Sequence, residues 1–346
     1  MGDPILYQHL FLLVHCSVLY PVFLYISSAA SAWISKLALT CKSNIIKPTV
    51  LSRKLSYKSQ NSILEDEVKP NFNFDDFYLR YKTIFGALRT KIAPPSEFLS
   101  WFIGFSEGDG SFIVTKRGDL SFVIVQDTRD VQVLYRIQKV LGFGKVIKQG
   151  KTTSRFVVQD KAGLYLLCAL FNGNIVTRSK LESFKAFLLA FNSYSSKGRL
   201  RFETINFKPL LAQASFNDGW ISGFVDAEGC FSVSISIINR SYHILFDLAQ
   251  KGELDNSPLN FLKELFGVGN IYAHSKPGCY FYRVNGLKDT AILFNYLDNY
   301  KLRTKKFKSY ILWKDLHKRF INKEHLDHTM IFTLKTLASK INNTWD

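Results

Sequence analysis

The feature that most constrains this chain is an apolar, acid-ended motif that occurs twice. Residues 101–112 read WFIGFSEGDGSF and residues 220–231 read WISGFVDAEGCF, so the second copy starts 119 positions after the first. In both copies an apolar run ends in two acids that are separated by one residue and followed by glycine. Carboxylates are costly to place among apolar side chains. A repeated exception therefore indicates a repeated fold whose two copies share a functional site.

The similarity between the two copies continues downstream of the motif. Four pairs of segments align: 122–126 with 246–250, 141–144 with 266–269, 162–172 with 285–295, and 179–187 with 305–313. The offset between the copies drifts only between 119 and 126, as small loop insertions would cause. The chain is therefore predicted to contain two homologous structural units.

Each copy contains the same predicted elements. An apolar helix ends at the acid-glycine step, where glycine is a common helix terminator, and an alternating strand pair follows. A helix, a second strand pair and further helices complete the copy, which predicts an α+β fold class. We divide the chain into an N-terminal extension (1–94), a first repeat (95–195), a linker (196–215) and a second repeat (216–335).

Small residues lie on one side of each motif helix. Gly104 and Gly108 are four residues apart, as are Gly223 and Ala227, so each pair lies on one helix face. Small residues at this spacing allow two helix backbones to approach closely. The two motif helices are therefore predicted to pack against each other.

Close packing of these helices would bring their terminal acids, Asp109 and Glu228, side by side. Two adjacent carboxylates repel each other unless a cation neutralises them. Ligands that offer only oxygen suit Mg²⁺, and an ion held in this way can activate water and stabilise the leaving oxygen of a phosphodiester. The pair predicts a divalent metal site at the seam between the repeats.

Residues 102–110 (FIGFSEGDG) and 221–229 (ISGFVDAEG) resemble the two signature motifs of the LAGLIDADG homing endonucleases in their single-chain form. The resemblance covers about residues 96–320. It implies two pseudo-symmetric αββαββα repeats whose paired sheets form a concave antiparallel β-saddle over the major groove of double-stranded DNA. It also implies a monomer that uses Mg²⁺ to cut both strands and leaves 3′ overhangs.

The resemblance also assigns site residues by position. Asp109 and Glu228 become the metal-binding catalytic acids, and we include the preceding residues, Gly108 and Ala227, in the metal site. The polar residue near the active centre falls on Gln126 and Gln250, and the basic residue near the scissile phosphates falls on Lys180 and Lys306. Lys305 is a rival to Lys306, because the first copy has Ser179 at that position. The other motif acids, Glu107 and Asp226, are expected to pair or cap structurally.

The first motif departs from the common pattern at two positions. Ser106 stands where more typical members have a hydrophobic residue or threonine, and Gly108 stands where they have alanine. A glycine inside a helix costs ~1 kcal/mol relative to alanine, so this helix is expected to be looser than its counterpart.

The charge of the chain favours a polyanionic partner. It has 45 Lys and Arg against 28 Asp and Glu, a formal net charge of +17. Nucleic acid is the usual partner of such a surface, although a solvated basic surface is the alternative. Basic residues on the predicted strands and turns are candidate DNA contacts: Lys116, Arg117, Lys145, Lys148, Lys151 and Arg155 in the first copy, and Arg240, His274, Lys276 and Arg283 in the second.

The cysteines give no sign of a zinc site. The five cysteines are scattered without the spacing of a CxxC pair, and no histidine pair accompanies them. Reduced core thiols in an intracellular compartment are the expected state.

The N-terminal 94 residues differ from the rest. Residues 10–34 are apolar and long enough to span a bilayer, but a leader that never folds in the mature protein is the preferred alternative. Residues 42–75 are polar and predict a linker. Residues 2–11 resemble an internal segment of cytochrome c oxidase subunit I, which implies a group I intron reading frame and a mitochondrial location.

Two functions remain open. One is a site-specific DNA endonuclease for intron homing, with its target around the codon for Phe11 in the uninterrupted gene. The other is an RNA maturase that helps its own intron to fold on the same basic scaffold, alone or as a dual function.

Overall fold

A computed structural model describes residues 71–86, 92–197, 200–251 and 258–343. The chain divides into two units, Met1–Glu65 and Asp66–Asp346, and every described residue belongs to the second. The apolar segment 10–34 and most of the predicted linker 42–75 lie outside the described residues. Within the described residues no helix combines the length and the apolar character that a membrane span requires.

The first repeat follows the predicted order of elements. After an N-terminal helix, α1 (Asp75–Phe85), its elements are α2 (Ser96–Asp109), β1 (Gly110–Val114), β2 (Leu120–Asp127), α3 (Val131–Leu141), β3 (Lys145–Gln149), β4 (Thr153–Val158), α4 (Lys161–Phe171) and α5 (Arg178–Ser195). The strands form one antiparallel sheet in the order β1-β2-β4-β3. A short 3₁₀ turn, Thr128–Asp130, leads from β2 into α3.

The second repeat has the same order with an extended C-terminus. Its elements are α6 (Trp220–Glu228), β5 (Gly229–Ser236), β6 (Ser241–Lys251), α7 (Pro258–Phe266), β7 (Asn270–Ala273), β8 (Cys279–Asn285), α8 (Leu287–Thr290), α9 (Ile292–Asn299), α10 (Lys306–Ile321), the 3₁₀ turn Glu324–Leu326, and α11 (Met330–Lys340). Its sheet has the order β5-β6-β8-β7, which matches the first sheet strand for strand. The predicted α+β class with two αββαββα repeats is confirmed.

Each sheet buries one face against helices. Along β6, Phe246 and Leu248 are fully packed in the core, whereas Asp247 between them is only partly covered. Phe156 and Val158 on β4 are buried in the same way, with Arg155 on the opposite side. We call the side of each sheet that carries Asp247 or Arg155 its outer face.

Two helices bear on the predicted boundaries between the parts of the chain. Helix α1 falls within the predicted extension but packs on the first repeat, where Phe77 and Tyr81 are buried and the Tyr81 hydroxyl donates to the Leu141 carbonyl at 3.2 Å. At the other end, α11 runs past the predicted limit of the second repeat at 335. The proposed linker has no regular element in its described parts, 196–197 and 200–215.

Helices α2 and α6 pack with unusually close backbones. A Cβ added at Gly104 would lie 2.1 Å from the Trp220 carbonyl oxygen, and one added at Gly223 would lie 2.0 Å from the Trp101 carbonyl oxygen. The contact is reciprocal because the two helices are related by the pseudo-two-fold relation of the repeats. Nearer the acids, a Cβ at Gly108 would lie 2.3 Å from the Cβ of Ala227. The glycine that departs from the common motif is therefore what admits the opposing alanine.

Both motif helices end at the acid, as predicted, but the glycine that follows does not end the helix by adopting a left-handed backbone conformation. Gly110 and Gly229 have extended backbones, with φ of −85° and −73°, and are not left-handed helix caps. A Cβ at Gly110 would lie 2.6 Å from the Ser106 carbonyl oxygen, and one at Gly229 would lie 2.8 Å from that of Val225. These glycines let the strand turn back tightly across the helix end.

Candidate active site

The two motif acids lie together where α2 and α6 end. The Glu228 Oε1 atom is 3.4 Å from the position that a Cβ would take at Gly108, directly before Asp109. Burial raises the pKa of Glu228, and the neighbouring Asp109 carboxylate raises it further. Burial also raises the pKa of Asp109, while Lys306, Gln126 and Lys180 oppose that shift. The two repeats thus bring their terminal carboxylates into one electrostatic environment.

The two predicted glutamines occupy equivalent strand positions but have different partners. Gly110 pairs with Ile124 and Gly229 pairs with Leu248, so Gln126 and Gln250 each lie two residues beyond the glycine's partner. Gln126 Nε2 donates to Asp109 Oδ2 at 2.5 Å. The Gln250 Oε1 atom is buried without a hydrogen-bond partner among the described residues. The first half of the site is therefore held more tightly than the second.

The two predicted lysines reach back to the ends of the motif helices of their own repeats. Lys180 Nζ donates to the Gly110 carbonyl at 2.5 Å, and Lys306 Nζ donates to the Ala227 carbonyl at 2.7 Å. Burial lowers the pKa of both lysines. Nearby carboxylates oppose this shift, Glu107 most strongly for Lys180 and Asp226 most strongly for Lys306, and Asp109 and Glu228 add to both. Both ammonium groups lie beside the acid pair.

Lys305, the rival candidate, contacts a different acid. Its backbone N–H donates to both carboxylate oxygens of Asp130 at 3.2 Å. The next residue, Lys306, is the one whose Nζ reaches the end of α6. This geometry favours Lys306 as the counterpart of Lys180.

The other two motif acids are buried and fully engaged. Glu107 accepts hydrogen bonds from the backbone N–H groups of Val176 and Thr177 at 2.9 and 2.6 Å. Asp226 accepts from the backbone N–H groups of Arg303 and Thr304 at 2.7 and 3.1 Å. Each acid thus holds the loop that leads into a lysine-bearing helix, in agreement with the structural role expected for it.

A cleft of about 600 Å³ opens beside Asp109, the acid of the first repeat. Its lining includes Asp109, Gln126, Lys306, Cys230 and Asn342. The opening leaves room for a solvent-exposed ligand next to Asp109.

Asp130 also lines this cleft and was missed by the sequence analysis. It is 7% exposed, and burial raises its pKa to about 6. Gln132 Nε2 donates to it at 2.7 Å, and Lys305 of the other repeat donates as described above. The only local signal is an acid directly before a helix, which ordinarily predicts a cap.

The donor atoms at the seam suit a divalent ion. The described residues hold no group of three or more His, Cys, Asp or Glu side chains that could bind a metal. The seam instead offers one carboxylate from each repeat, beside the point where Gly108 faces the Ala227 side chain. Hard oxygen donors with most positions left to water and substrate suit Mg²⁺, which dehydrates reluctantly. The residues present therefore fit such an ion.

Apart from Arg240, which lies half-buried in the turn between β5 and β6, the predicted DNA contacts divide into three sets. Lys145, Arg155 and Arg283 lie on the outer faces of the sheets. Exposed turns between strands carry Lys116, Arg117, Lys151, His274 and Lys276. Lys148 lies on the opposite side of β3 from Lys145, because its strand position has the parity of the inward-facing Val146.

Two of the predicted arginines are tied to protein groups. Arg283 forms a bidentate ion pair with Asp247, with nitrogen–oxygen distances of 2.7 and 2.6 Å. Arg240 donates to the Leu326 carbonyl at 3.2 Å and contacts the His328 ring. Their guanidinium groups are thus less available to phosphate than sequence position alone indicated.

Several curated proteins are similar to this chain. It is 38% identical over 255 residues to a probable intron-encoded endonuclease 4 of Neurospora crassa, covering 72% of this chain and 45% of that protein. It is 27% identical to a cox1 intron-2 protein of Schizosaccharomyces pombe, covering 71% and 73%, and 26% identical to the intron-encoded RNA maturase bI4 of Saccharomyces cerevisiae, covering 58% and 29%. The chain thus spans less than half the length of the first of these relatives.

Solved structures and a family model match the same region. The fold resembles that of the LAGLIDADG homing endonuclease I-GzeII, solved with its DNA target, with a TM-score of 0.59, 19% identity, and coverage of 70% of this chain and 97% of that one. The model of the LAGLIDADG endonuclease family matches residues 102–191 and 221–317, one segment for each repeat. Together with the paired acid-ended helices, these matches show that the chain belongs to the LAGLIDADG endonuclease family.

Proposed function

We propose that this protein is a metal-dependent homing endonuclease that cuts both strands of a long DNA site in the intron-less form of its host gene. The observation that carries the proposal is the meeting of Asp109 and Glu228 at the seam, where one lysine from each repeat, Lys306 and Lys180, acts on both carboxylates. Each repeat supplies one acid and one lysine, which is the number expected if each strand of the duplex is cut with one such pair.

The side chains of this site have separate tasks in the proposed reaction. Asp109 and Glu228 would hold Mg²⁺, which when bound neutralises the carboxylates and stabilises charge on the phosphodiester oxygens. Gln126 fixes the orientation of the Asp109 carboxylate through its hydrogen bond. Lys180 and Lys306, kept near the acids, would stabilise negative charge on each scissile phosphate. The products are proposed to carry 3′ overhangs, as the family resemblance implies.

The target and the compartment follow from the N-terminal sequence. Residues 2–11 resemble cytochrome c oxidase subunit I, and one relative is a cox1 intron protein. We therefore place the target around the codon for Phe11 in the uninterrupted oxidase gene, and the protein in the mitochondrion. The net charge of +17 suits a polyanionic substrate.

The test is cleavage of a labelled duplex that spans the intron-less junction, with full-length protein and Mg²⁺. Wild-type protein should cut both strands, and Asp109→Asn or Glu228→Gln should lower the rate by about 10³-fold or more, since each removes a charge that would hold the ion. Glu182→Gln is the matched control, because this glutamate is exposed on α5. The nuclease proposal fails if purified wild-type protein leaves the junction intact, or if Asp109→Asn cuts it at the wild-type rate.

A maturase activity is the second candidate, because one relative is an RNA maturase. A basic scaffold could bind the folded intron without using the acid pair. In a splicing assay on its own intron RNA, the full-length protein should raise the yield of ligated exons, and Asp109→Asn should retain this effect. Splicing that is independent of the protein would contradict this candidate without touching the nuclease.

A further inference from the structure

Each buried motif acid links a lysine-bearing helix to the opposite repeat. Glu107 of the first repeat accepts a hydrogen bond at 2.8 Å from the indole Nε1–H of Trp220, which begins the motif helix of the second repeat. Asp226 of the second repeat accepts one at 2.8 Å from the indole of Trp101 in the first. Both indoles and both carboxylates are buried. The exchange is reciprocal, so neither repeat completes this network alone.

The acid end of the network touches the residues that set the position of each lysine. Glu107 accepts a hydrogen bond from the backbone N–H of Thr177, the residue directly before α5, and Lys180 follows three positions later. Asp226 binds both the backbone N–H and the hydroxyl of Thr304, at 3.1 and 2.5 Å, two positions before Lys306. A buried carboxylate that accepts several backbone hydrogen bonds fixes a loop firmly, because leaving those donors unpaired is costly.

We propose that Glu107 and Asp226 are positioning residues that hold Lys180 and Lys306 beside the acids. We call each of these buried carboxylates, together with the loop N–H groups that it binds, a clamp, and each clamp is completed by the indole N–H of a tryptophan from the opposite repeat. Each half of the site would then depend on both repeats. This inference rests on the proposed nuclease function for its consequence, but the clamps themselves are a property of the folded chain.

The clamps predict strand-selective defects. Trp220→Phe keeps an aromatic ring but removes the N–H that Glu107 accepts, so it should loosen Lys180 and slow cleavage of one strand. Trp101→Phe should slow the other strand through Lys306. Loss of a hydrogen bond to a buried charge should slow cleavage of the affected strand about tenfold. DNA nicked in a single strand should therefore accumulate, and the nicked strand should differ between the two variants. Glu107→Gln keeps one acceptor oxygen and should recover part of the rate lost in Glu107→Ala.

Trp313→Phe is the matched control. Trp313 is buried like the other two, but its Nε1 has no hydrogen-bond partner among the described residues, and its ring packs on Phe231 and Phe294. It should lose comparable packing without changing the ratio of the two strand rates. Equal slowing of both strands by Trp220→Phe would overturn the positioning role and leave only a packing role.

A second readout needs no DNA. Acetylation of lysine amines in the full-length protein, quantified by peptide mass spectrometry, reports how each amine is held. Trp220→Phe should raise the labelling of Lys180 several-fold while leaving Lys306 unchanged, and Trp101→Phe should do the converse. If the wild-type protein cuts nothing, the nuclease proposal fails but this labelling still decides the clamps. Unchanged labelling, or an equal change at both lysines, would overturn them.

Discussion

At the scale of single residues, the site is a balance of buried charges. Two carboxylates, Asp109 and Glu228, and two ammonium groups, Lys180 and Lys306, meet where water is partly excluded. Burial raises the pKa of both acids and lowers that of both lysines, and attraction between opposite charges only partly offsets these shifts. Groups kept in this state are costly for the fold, and perturbed ionisation of this kind is typical of functional sites.

Glu228→Gln should therefore stabilise the metal-free protein at neutral pH. Burial and Asp109 raise the pKa of Glu228 in the folded state above its unfolded value of about 4.3. The ionised acid thus destabilises the fold above that pH, and stability is regained as pH falls through the folded pKa. The thermal midpoint of the variant should exceed that of wild type at pH 7–8, with the gain vanishing below about pH 4.

The measurement is thermal unfolding between pH 4 and 8 with a chelator present. Glu182→Gln serves again as the control, because its exposed carboxylate should leave the midpoint almost unchanged across this range. A lower midpoint for Glu228→Gln than for wild type at neutral pH would show that the acid is a net stabiliser, contrary to the argument.

At the scale of elements, the acid pair depends on how closely α2 and α6 approach. Gly104 faces the Trp220 carbonyl and Gly223 faces the Trp101 carbonyl, so the crossing point has backbone against backbone. The helices carry few charges to hold them together, and the acids can meet only while this contact is intact.

Gly104→Ala should disrupt this contact. The added Cβ would lie 2.1 Å from a backbone oxygen that cannot rotate away, so the helices must separate. Overpacking of this kind should lower the free energy of unfolding by about 3 kcal/mol. Gly86→Ala at the end of α1 is the control, because its Cβ would meet only the flexible Lys82 side chain at an ordinary 3.4 Å. Equal unfolding free energies for the two variants in urea titrations would contradict the close-contact account.

Much of this arrangement could be predicted from local sequence patterns. The repeat predicted two equal units, alternating residues predicted the strand pairs, and small residues four apart predicted the paired helices. What could not be predicted joins distant positions: Trp220 to Glu107 across 113 residues, and Lys305 to Asp130 across 175. Such contacts depend on the packed arrangement of both repeats, which no local period encodes.

The groups that surface arginines contact also could not be predicted from the sequence. Arg283 and Arg240 looked like free basic residues, but Asp247 lies directly opposite Arg283 on the neighbouring strand, and the C-terminal segment reaches Arg240. The assignment of the two lysines and glutamines to the site, by contrast, came from a family resemblance and stays a prediction until it is tested by cleavage.

At the scale of the whole molecule, the proposed function requires positive charge on the surface that would meet DNA. Lys145 and Arg155 lie on the outer face of the first sheet, and Arg283 lies on that of the second. The ion pair with Asp247 masks part of the charge of the second sheet. Binding of a long duplex along these faces should therefore involve more phosphate contacts from the first repeat than from the second.

The salt dependence of DNA binding measures this distribution. Each phosphate contact contributes about 0.9 to the slope of log K against log salt concentration. Lys145→Ala should lower the slope by about that amount, whereas Asp247→Asn, which releases Arg283, should raise both the affinity and the slope. Fluorescence anisotropy of a labelled junction duplex, titrated at salt concentrations from about 50 to 300 mM, measures both the affinity and the slope.

Lys139→Ala is the control for this measurement. Lys139 is exposed on α3, on the helical side of the first sheet, so its loss changes the net charge as Lys145→Ala does but removes no contact on the outer face. Its slope should match that of wild type. If both lysine variants reduce the slope equally, only net charge matters, and the outer face of the first sheet is not where the phosphates lie.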